Sequence, residues 1–85
     1  MYRLIIHKQA EKKLKSLSPK DRLKITDKIL ELSYNPDNLK LDIKKLVGEP
    51  HWRLRVGIWR VIYDREDNLK IIKIERIKPR GDIYK

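Results

Sequence analysis

The spacing of hydrophobic residues changes along the chain, and each change predicts a different kind of element. Residues 2–6 (YRLII) form an apolar, β-prone run that predicts a strand. From Lys8 onward, Ala10, Leu14 and Leu17 are spaced four and three residues apart, as on one face of a helix. We therefore expect a first strand followed directly by a first helix.

A second helix is predicted to begin just after Ser18. Ser18 can cap its first turn, Pro19 suits the first helical position, and Asp21 meets the positive end of the helix dipole. Asn35-Pro36 should end this helix. Between these limits the apolar residues recur at helical spacing at Leu23, Ile25, Ile29, Leu30 and Leu32. Two helices joined at Ser18 make a helical hairpin.

The rest of the chain is strand-like after a loop predicted over residues 37–45. Three β-prone runs follow at residues 52–56, 59–64 and 69–77, and Gly57 stands at the first central position typical of a type II′ hairpin turn. The resulting order is βααβββ. It predicts an α+β fold, in which a mostly antiparallel sheet carries the N-terminal helical hairpin on one face.

A two-residue turn fixes the register of the hairpin at residues 52–63 (WRLRVGIWRVIY). Arg55 then lies opposite Arg60, and Arg53 lies two residues further along the same face, away from the helices. The face predicted to pack on the helices carries Trp52, Leu54, Val56, Trp59 and Val61. Three arginines are therefore expected side by side on the open face.

This clustering needs an explanation, since like charges opposite one another destabilise a sheet by a few tenths to about 1 kcal/mol. The local carboxylates, Asp64 and Glu66, are expected at the following turn rather than between the arginines. A solvated charged face is one interpretation. Three arginines and no lysine in residues 52–63 favour a functional one, because guanidinium makes bidentate contacts with phosphate that an ammonium does not.

The chain as a whole is strongly basic. It has 22 Lys and Arg against 12 Asp and Glu, which gives a formal net charge of +10. Such a surplus usually reflects a polyanionic partner, because it otherwise costs stability through self-repulsion. A thermophile-like charged surface is the alternative, but that composition enriches glutamate together with lysine. We therefore expect contact with nucleic acid or the ribosome.

Length and composition limit the other possibilities. A chain of 85 residues makes one domain, residues 1–85. It has no cysteine, which excludes disulfides, thiolate metal sites and cysteine nucleophiles. No segment approaches the roughly 20 apolar residues of a membrane span, nor the apolar core of a signal peptide. A soluble, cytoplasmic protein without membrane contact is expected.

The C-terminal segment KPRGDIYK (residues 78–85) is polar and short enough to fold back toward the sheet. It supplies basic and aromatic side chains at Lys78, Arg80, Tyr84 and Lys85. Alternatively, Tyr84 and the isoleucine before it anchor the C-terminus against the core. Both interpretations can hold for different residues of the segment.

The order βααβββ, the hairpin W-R-L-R-V-G-I-W-R-V-I-Y and the ending K-P-R-G-D-I-Y together resemble the RelE/ParE superfamily of toxins from toxin–antitoxin pairs, and archaeal RelE proteins in particular. The resemblance covers nearly the whole chain and is most specific in residues 52–63 and 78–84. It implies a toxin that binds in the ribosomal A site and cuts mRNA there. The implied chemistry is attack by the RNA's own 2′-hydroxyl, without a metal or other cofactor.

The resemblance also implies roles for individual residues. Arg80 and Arg60 are expected to clamp the reacting phosphate, and Arg53 and Arg55 to bind or orient the RNA backbone. Tyr84 is expected to stack on a base or to lie beside the reacting hydroxyl. These five residues form the implied catalytic set. The implied RNA-binding set is Arg53, Arg55, Arg60, Lys78, Arg80 and Lys85.

Two departures from the family pattern leave the general base unassigned. Many relatives carry a histidine where this chain has Pro79, and second-strand lysines of some members are replaced here by Arg53 and Arg55. Arginine is effectively always protonated, so it is a poor base. His51 is a candidate substitute, because imidazole titrates near neutrality. His7 is expected to be structural, and two distant histidines without a close acidic cluster argue against a metal site.

Two other functions stay open on the sequence. One is a ParE-type poison of DNA gyrase, although such proteins generally lack the clustered sheet arginines and the C-terminal Arg/Tyr pair. The other is a non-catalytic module that binds RNA or the ribosome. A toxin also implies a cognate RelB-like antitoxin, with an acidic or amphipathic segment that wraps it.

Overall fold

The computed structural model describes residues 1–79, which contain two helices and five strands. In chain order they are β1 (Arg3–Ile6), α1 (Lys8–Ser16), α2 (Pro19–Tyr34), β2 (Asp42–Lys45), β3 (Trp52–Val56), β4 (Trp59–Glu66) and β5 (Ile71–Pro79). The strands form one sheet in the order β1-β5-β4-β3-β2. β1 runs parallel to β5, and the other neighbours are antiparallel. The predicted α+β class and its mostly antiparallel sheet are confirmed.

Both helices begin where predicted, and each has a side-chain cap. Ser18 Oγ accepts a hydrogen bond from the Asp21 N–H at 3.3 Å, with Pro19 as the first residue of α2. His7 Nδ1 accepts one from the Gln9 N–H at 3.2 Å and so caps α1. Neither helix combines the length and the apolar character needed to cross a bilayer.

The loop predicted over residues 37–45 is wrong at its end, where the chain forms β2. This strand pairs antiparallel with β3 and places Ile43 opposite Leu54. Its sequence, DIKK, has a single apolar residue and no alternation long enough to indicate a strand. The edge of β3 supplies the pairing partners, so the sheet rather than local preference makes this segment extended.

The hydrophobic core lies between the helical hairpin and one face of the sheet. Trp52 and Trp59 pack at its border and are half-buried. Ile62 is also fully buried but does not belong to this core, because it points to the opposite face. The buried aliphatic and aromatic residues of the core are Tyr2, Ala10, Ile25, Ile29, Leu32, Leu41, Leu54, Val56, Val61, Tyr63, Ile72, Ile74 and Ile77.

The long β4–β5 pairing contains one β-bulge. Ile62 lies opposite Arg76, and the next residue, Tyr63, lies opposite Ile74. Glu75 is therefore left without a partner residue on β4. The bulge shifts the alternation of β5, so that its apolar residues face the core on both sides of the irregularity.

Candidate functional site

The hairpin formed by β3 and β4 has the predicted register. Val56 pairs with Trp59, and Arg55 pairs with Arg60. Gly57, the first turn residue, has a φ of +60°, and Ile58, the second, does not have a positive φ. This combination is the one that a type II′ turn requires. The two-residue turn therefore sets the positions of the arginines along both strands.

Side chains on the sheet face away from the helices form rows that cross four strands. Paired residues of a sheet project to the same side, so each row follows from the strand pairs. The first row contains Asp42, Arg55, Arg60 and Lys78, and the second row contains Lys44, Arg53, Ile62 and Arg76. The six basic residues of these rows, which we call the cationic face, are Lys44, Arg53, Arg55, Arg60, Arg76 and Lys78.

Arg60 is the most buried charge of the cationic face. Only 3% of the residue is exposed, and its one hydrogen bond to the described part of the chain is a long contact of 3.4 Å from Nη1 to the Trp59 carbonyl. Within residues 1–79 its Nε has no partner and no carboxylate lies within 4.0 Å. A buried cation between Arg55 and Lys78 is costly unless it is paired, so an anionic ligand would stabilise it.

A carboxylate does lie among the arginines, contrary to the expectation from the sequence. Asp42 Oδ1 accepts a hydrogen bond from Arg53 Nη2 at 2.8 Å, and its Oδ2 lies 4.0 Å from Arg55 Nε. The sequence points only to Asp64 and Glu66 as local acids, because the segment that contains Asp42 is predicted as a loop and forms β2 instead. Asp42 offsets part of the repulsion at β3.

His51 lies on the same face beside several carboxylates. Its Nδ1 is 3.8 Å from Glu49 and its Nε2 is 3.9 Å from Asp64. Atoms of His51, Asp64 and Glu75 that can bind a metal all lie within 4.8 Å of one another. The expectation that no acidic cluster lies close to a histidine is therefore wrong. Four residues of extended chain, roughly 13 Å, separate His51 from Arg55, so the imidazole is remote from the first row.

The structure brings together four basic residues that were predicted to form the site: Arg53, Arg55, Arg60 and Lys78. The other predicted residues, Arg80, Tyr84 and Lys85, lie outside residues 1–79.

The sequence did not predict two of the basic residues on the cationic face. Lys44 was missed because β2 was predicted as a loop. Arg76 was missed because simple alternation along β5 fails at Glu75, the extra residue of the bulge. The only signal for either was the excess of basic residues in these segments, which does not assign a face.

Basic residues continue past the edge of the cationic face into a groove between α1 and β5. The groove is lined by Lys12 and Lys13 of α1 and by Arg76 and Lys78 of β5, together with uncharged residues. No acidic side chain lines it among residues 1–79. The positive surface therefore extends from the sheet onto α1.

A separate ionic cluster joins the N-terminus to the turn after β4. Tyr2 Oη donates to Asp67 Oδ1 at 2.8 Å, and Arg65 donates to Asp67 at 2.9 Å and to Asp37 at 3.0 Å. The hydrogen bond from Arg65, followed by that from Tyr2, lowers the pKa of Asp67. Burial opposes the charged form of Arg65, but its hydrogen bonds to the two carboxylates prevail and raise its pKa. These contacts stabilise the fold.

The sequence matches a known family over almost its whole length. A family model described as the ParE toxin of the type II toxin–antitoxin system, parDE, matches residues 4–84. RelE1 of Methanocaldococcus jannaschii, a candidate toxin, is 39% identical over 82 residues, which cover 94% of this chain and 91% of that protein. This chain belongs to the RelE/ParE family of type II toxins. The family resemblance inferred from residues 52–63 and 78–84 is confirmed.

Solved structures of RelE/ParE proteins share the fold. A chain in the crystal structure of the archaeal RelE–RelB complex from Pyrococcus horikoshii OT3 has a TM-score of 0.82 and 39% identity, covering 95% of this chain and 97% of that one. A chain in the RelB–RelE antitoxin–toxin complex from Methanococcus jannaschii has a TM-score of 0.75 and 32% identity, covering 94% of each. The RelE fold is therefore shared over nearly the whole length of all three chains.

Proposed function

We propose that this RelE-type toxin inhibits translation by cutting mRNA in the ribosomal A site. One observation carries the proposal most strongly. The first row places Arg55, Arg60 and Lys78 side by side, with Arg60 buried and without a carboxylate within 4.0 Å in residues 1–79. Guanidinium groups present parallel N–H donors to phosphate, and preorganised cations stabilise charge that develops in a transition state.

The reaction we propose is an internal displacement at phosphorus. The 2′-oxygen of the RNA forms a bond to the adjacent phosphorus, the bond from phosphorus to the 5′-oxygen breaks, and a 2′,3′-cyclic phosphate remains. The proton leaves the 2′-hydroxyl, and a proton is taken up by the 5′-oxygen. The intermediate phosphorane carries two negative charges, which the cationic face is suited to stabilise. Replacing the 2′-hydroxyl of the A-site nucleotide by hydrogen should abolish cleavage.

Each proposed site residue has a role in this reaction. Arg60 and Arg80 clamp the phosphate, Arg53 and Arg55 bind or orient the backbone, and Tyr84 stacks on a base or lies beside the reacting hydroxyl. The RNA-binding set also includes Lys78 and Lys85. Arg55 is exposed on the cationic face, whereas Arg53 is 9% exposed and is held by Asp42, so it serves better to position the backbone than to approach phosphorus.

The general base is not among the arginines, because a guanidinium does not give up its proton at neutral pH. His51 is not the base either, because the length of β3 separates it from the first row. General acid–base help is typically worth about 10²–10⁴ in rate, so its absence slows the reaction without removing charge stabilisation. The ribosome supplies the missing group, or cleavage is slow.

A RelB-like antitoxin is the partner we infer. The similar chains from Pyrococcus horikoshii and Methanococcus jannaschii were crystallised in RelE–RelB complexes. A net charge of +10 and the cationic face favour an acidic or amphipathic segment that wraps the toxin. A triple alanine variant of Arg53, Arg55 and Arg60 should bind the antitoxin more weakly. Unchanged affinity would show that the main contact lies elsewhere.

Two other functions remain in competition, and one experiment separates all three. The family that matches this chain is described as the ParE toxin, so a ParE-type poison of DNA gyrase is the second candidate. A non-catalytic RNA- or ribosome-binding module is the third. The full chain is incubated with translating ribosomes, and mRNA 5′ ends are mapped. Codon-phased cuts support cleavage in the A site. Inhibition of DNA supercoiling by gyrase, without mRNA cuts, supports the gyrase poison. Salt-dependent binding to RNA or the ribosome, with neither cuts nor gyrase inhibition, supports the non-catalytic binding module.

Replacing Arg80 by alanine tests the proposed phosphate clamp in cells. Induced expression of the wild-type chain should arrest growth, and the Arg80→Ala variant should be far less toxic at equal protein level. Lys15→Ala, which removes an exposed charge from α1, serves as the matched control for net charge. Equal toxicity of the wild-type and Arg80→Ala chains would show that Arg80 is not part of the site.

A further inference from the structure

Three half-buried side chains from neighbouring segments meet at one end of the open sheet face. His51 directly precedes β3, Asp64 lies in β4, and Glu75 is the unpaired residue of the bulge in β5. Their donor atoms all lie within 4.8 Å of one another. Among residues 1–79, none of the three side chains makes a hydrogen bond; Asp64 lies 3.9 Å from His51 Nε2. One imidazole and two carboxylates this close together form a donor set that suits a metal ion.

We propose that His51, Asp64 and Glu75 bind a divalent transition-metal ion, for which Zn²⁺ is the appropriate probe. Zinc takes imidazole nitrogen and carboxylate oxygen, and three protein ligands leave a fourth position for water. Magnesium and calcium take oxygen ligands, so the imidazole disfavours them. The two carboxylates neutralise the charge of the ion. This site is separate from the RNA-cutting function proposed above and does not depend on it.

The geometry requires only small side-chain adjustments. Zinc bonds of about 2.0–2.2 Å in a tetrahedron place ligand atoms about 3.4 Å apart. Donors that now lie within 4.8 Å of one another must therefore approach by up to about 1.4 Å. The β-bulge is the feature that turns Glu75 toward the other two residues, and bulges commonly re-aim a side chain in this way. Among residues 1–79, the cation nearest to Glu75 is Lys73, whose Nζ lies 3.7 Å away, too far for a hydrogen bond.

Glu49 is not one of the three proposed ligands, but it lies beside the histidine among them. Asp64 faces His51 Nε2, and Glu49 faces Nδ1 at 3.8 Å. With the ion on Nε2, the Nδ1–H points toward the Glu49 carboxylate. Carboxylates in this position orient metal-binding histidines and raise their basicity. Glu49 is itself placed by Arg76, whose Nη2 lies 3.5 Å from it.

Zinc titration of the tag-free, chelator-treated full chain tests the proposal. Binding is measured by competition with a chromophoric chelator. We expect one ion per chain, with affinity at least tenfold lower in His51→Ala and Glu75→Gln. His7→Ala is the matched control, because it removes the other histidine of the chain, and it should bind like the wild type.

Each other result contradicts the site. No binding by the wild type at millimolar zinc would show that the three residues do not form a metal site. Equal loss of affinity in His51→Ala and His7→Ala would show an adventitious ion only. Circular dichroism of each metal-free variant checks folding. If His51→Ala does not fold, Glu75→Gln, which keeps the side-chain shape, gives the answer. Loss of zinc affinity in these variants with mRNA cleavage unchanged would leave the proposed function intact.

Discussion

The Asp42 carboxylate lies 2.8 Å from Arg53 Nη2, and this contact determines how charge is distributed over the cationic face. Asp42 also lies 4.0 Å from Arg55, so positive charge is partly compensated at β2 and β3. Further along the first row, Arg60 and Lys78 have no such acid within residues 1–79. A phosphate is therefore expected to bind toward β4 and β5.

Removing the Asp42 charge should strengthen RNA binding. In Asp42→Asn the exposed carboxylate no longer offsets Arg53 and Arg55, and a change of up to about 1 kcal/mol corresponds to roughly two- to fivefold higher affinity. Fluorescence anisotropy with a short single-stranded RNA at fixed salt measures it. Glu11→Gln removes the same charge from α1, on the other side of the sheet. Equal effects of the two substitutions would contradict a binding surface on the cationic face.

Arg60 should contribute to the salt dependence of RNA binding. Arg60→Ala is expected to lower the slope of log affinity against log salt by about 0.7, the value for one phosphate contact on a single strand. Arg60→Lys should keep the slope and lose affinity, because the charge remains but the bidentate geometry does not. Arg22→Ala, an exposed arginine of α2, is the control. A slope unchanged in Arg60→Ala would place the phosphate elsewhere.

Tyr63 should make the fold sensitive to alkali. Burial raises the pKa of Tyr63 from 10.0 to about 12. Between these values the unfolded chain releases the proton while the folded chain keeps it, so the free energy of unfolding falls as pH rises. In Tyr63→Phe, the part of this fall in the free energy of unfolding that comes from the Tyr63 hydroxyl should be absent. Urea unfolding of both chains at pH 9 and pH 11 measures the difference. A wild-type decline no steeper than that of the variant would contradict the shifted pKa.

At neutral pH the same substitution should be tolerated. The Tyr63 hydroxyl is buried and has no hydrogen-bond partner within residues 1–79. Removing an unsatisfied group while keeping the ring should leave the free energy of unfolding unchanged or raise it by about 1 kcal/mol. A loss of stability in Tyr63→Phe at pH 7 would indicate that the hydroxyl has a partner.

Asp67 should contribute to acid unfolding. Because the hydrogen bonds from Arg65 and Tyr2 lower its pKa below 3.8, its stabilisation is present above that value and is lost as pH falls through the lowered pKa. Asp67→Asn should be less stable than the wild type at pH 7, and the difference should shrink in strong acid. Thermal unfolding across this range measures both chains. A difference that does not change with pH would rule out the ionic origin.

Local signals predicted the parts of the fold that local chemistry decides. Ser18 and Pro19 mark the start of α2 because capping and a fixed φ act within one turn. Gly57 predicts the hairpin register because a two-residue turn leaves no freedom in the pairing. From that register the positions of Arg55 and Arg60 follow directly.

The remaining features depend on contacts between distant segments. The strand β2 exists because the edge of β3 is available, and the segment itself is too polar to indicate it. The bulge at Glu75 arises from the fit of β5 against β4 and has no local sequence signature. His51, Asp64 and Glu75 are far apart in sequence, so their proximity appears only when three neighbouring segments are aligned.

Single-turnover cleavage of mRNA on programmed ribosomes tests A-site cutting most directly. We expect the wild-type chain and Arg22→Ala to produce codon-phased 5′ ends at the same rate. Arg60→Ala should cut at least about 10²-fold more slowly, the usual effect of removing one preorganised donor to a transition-state charge. Intact mRNA with the wild-type chain, or equal rates for Arg60→Ala and Arg22→Ala, would contradict cleavage by the cationic face.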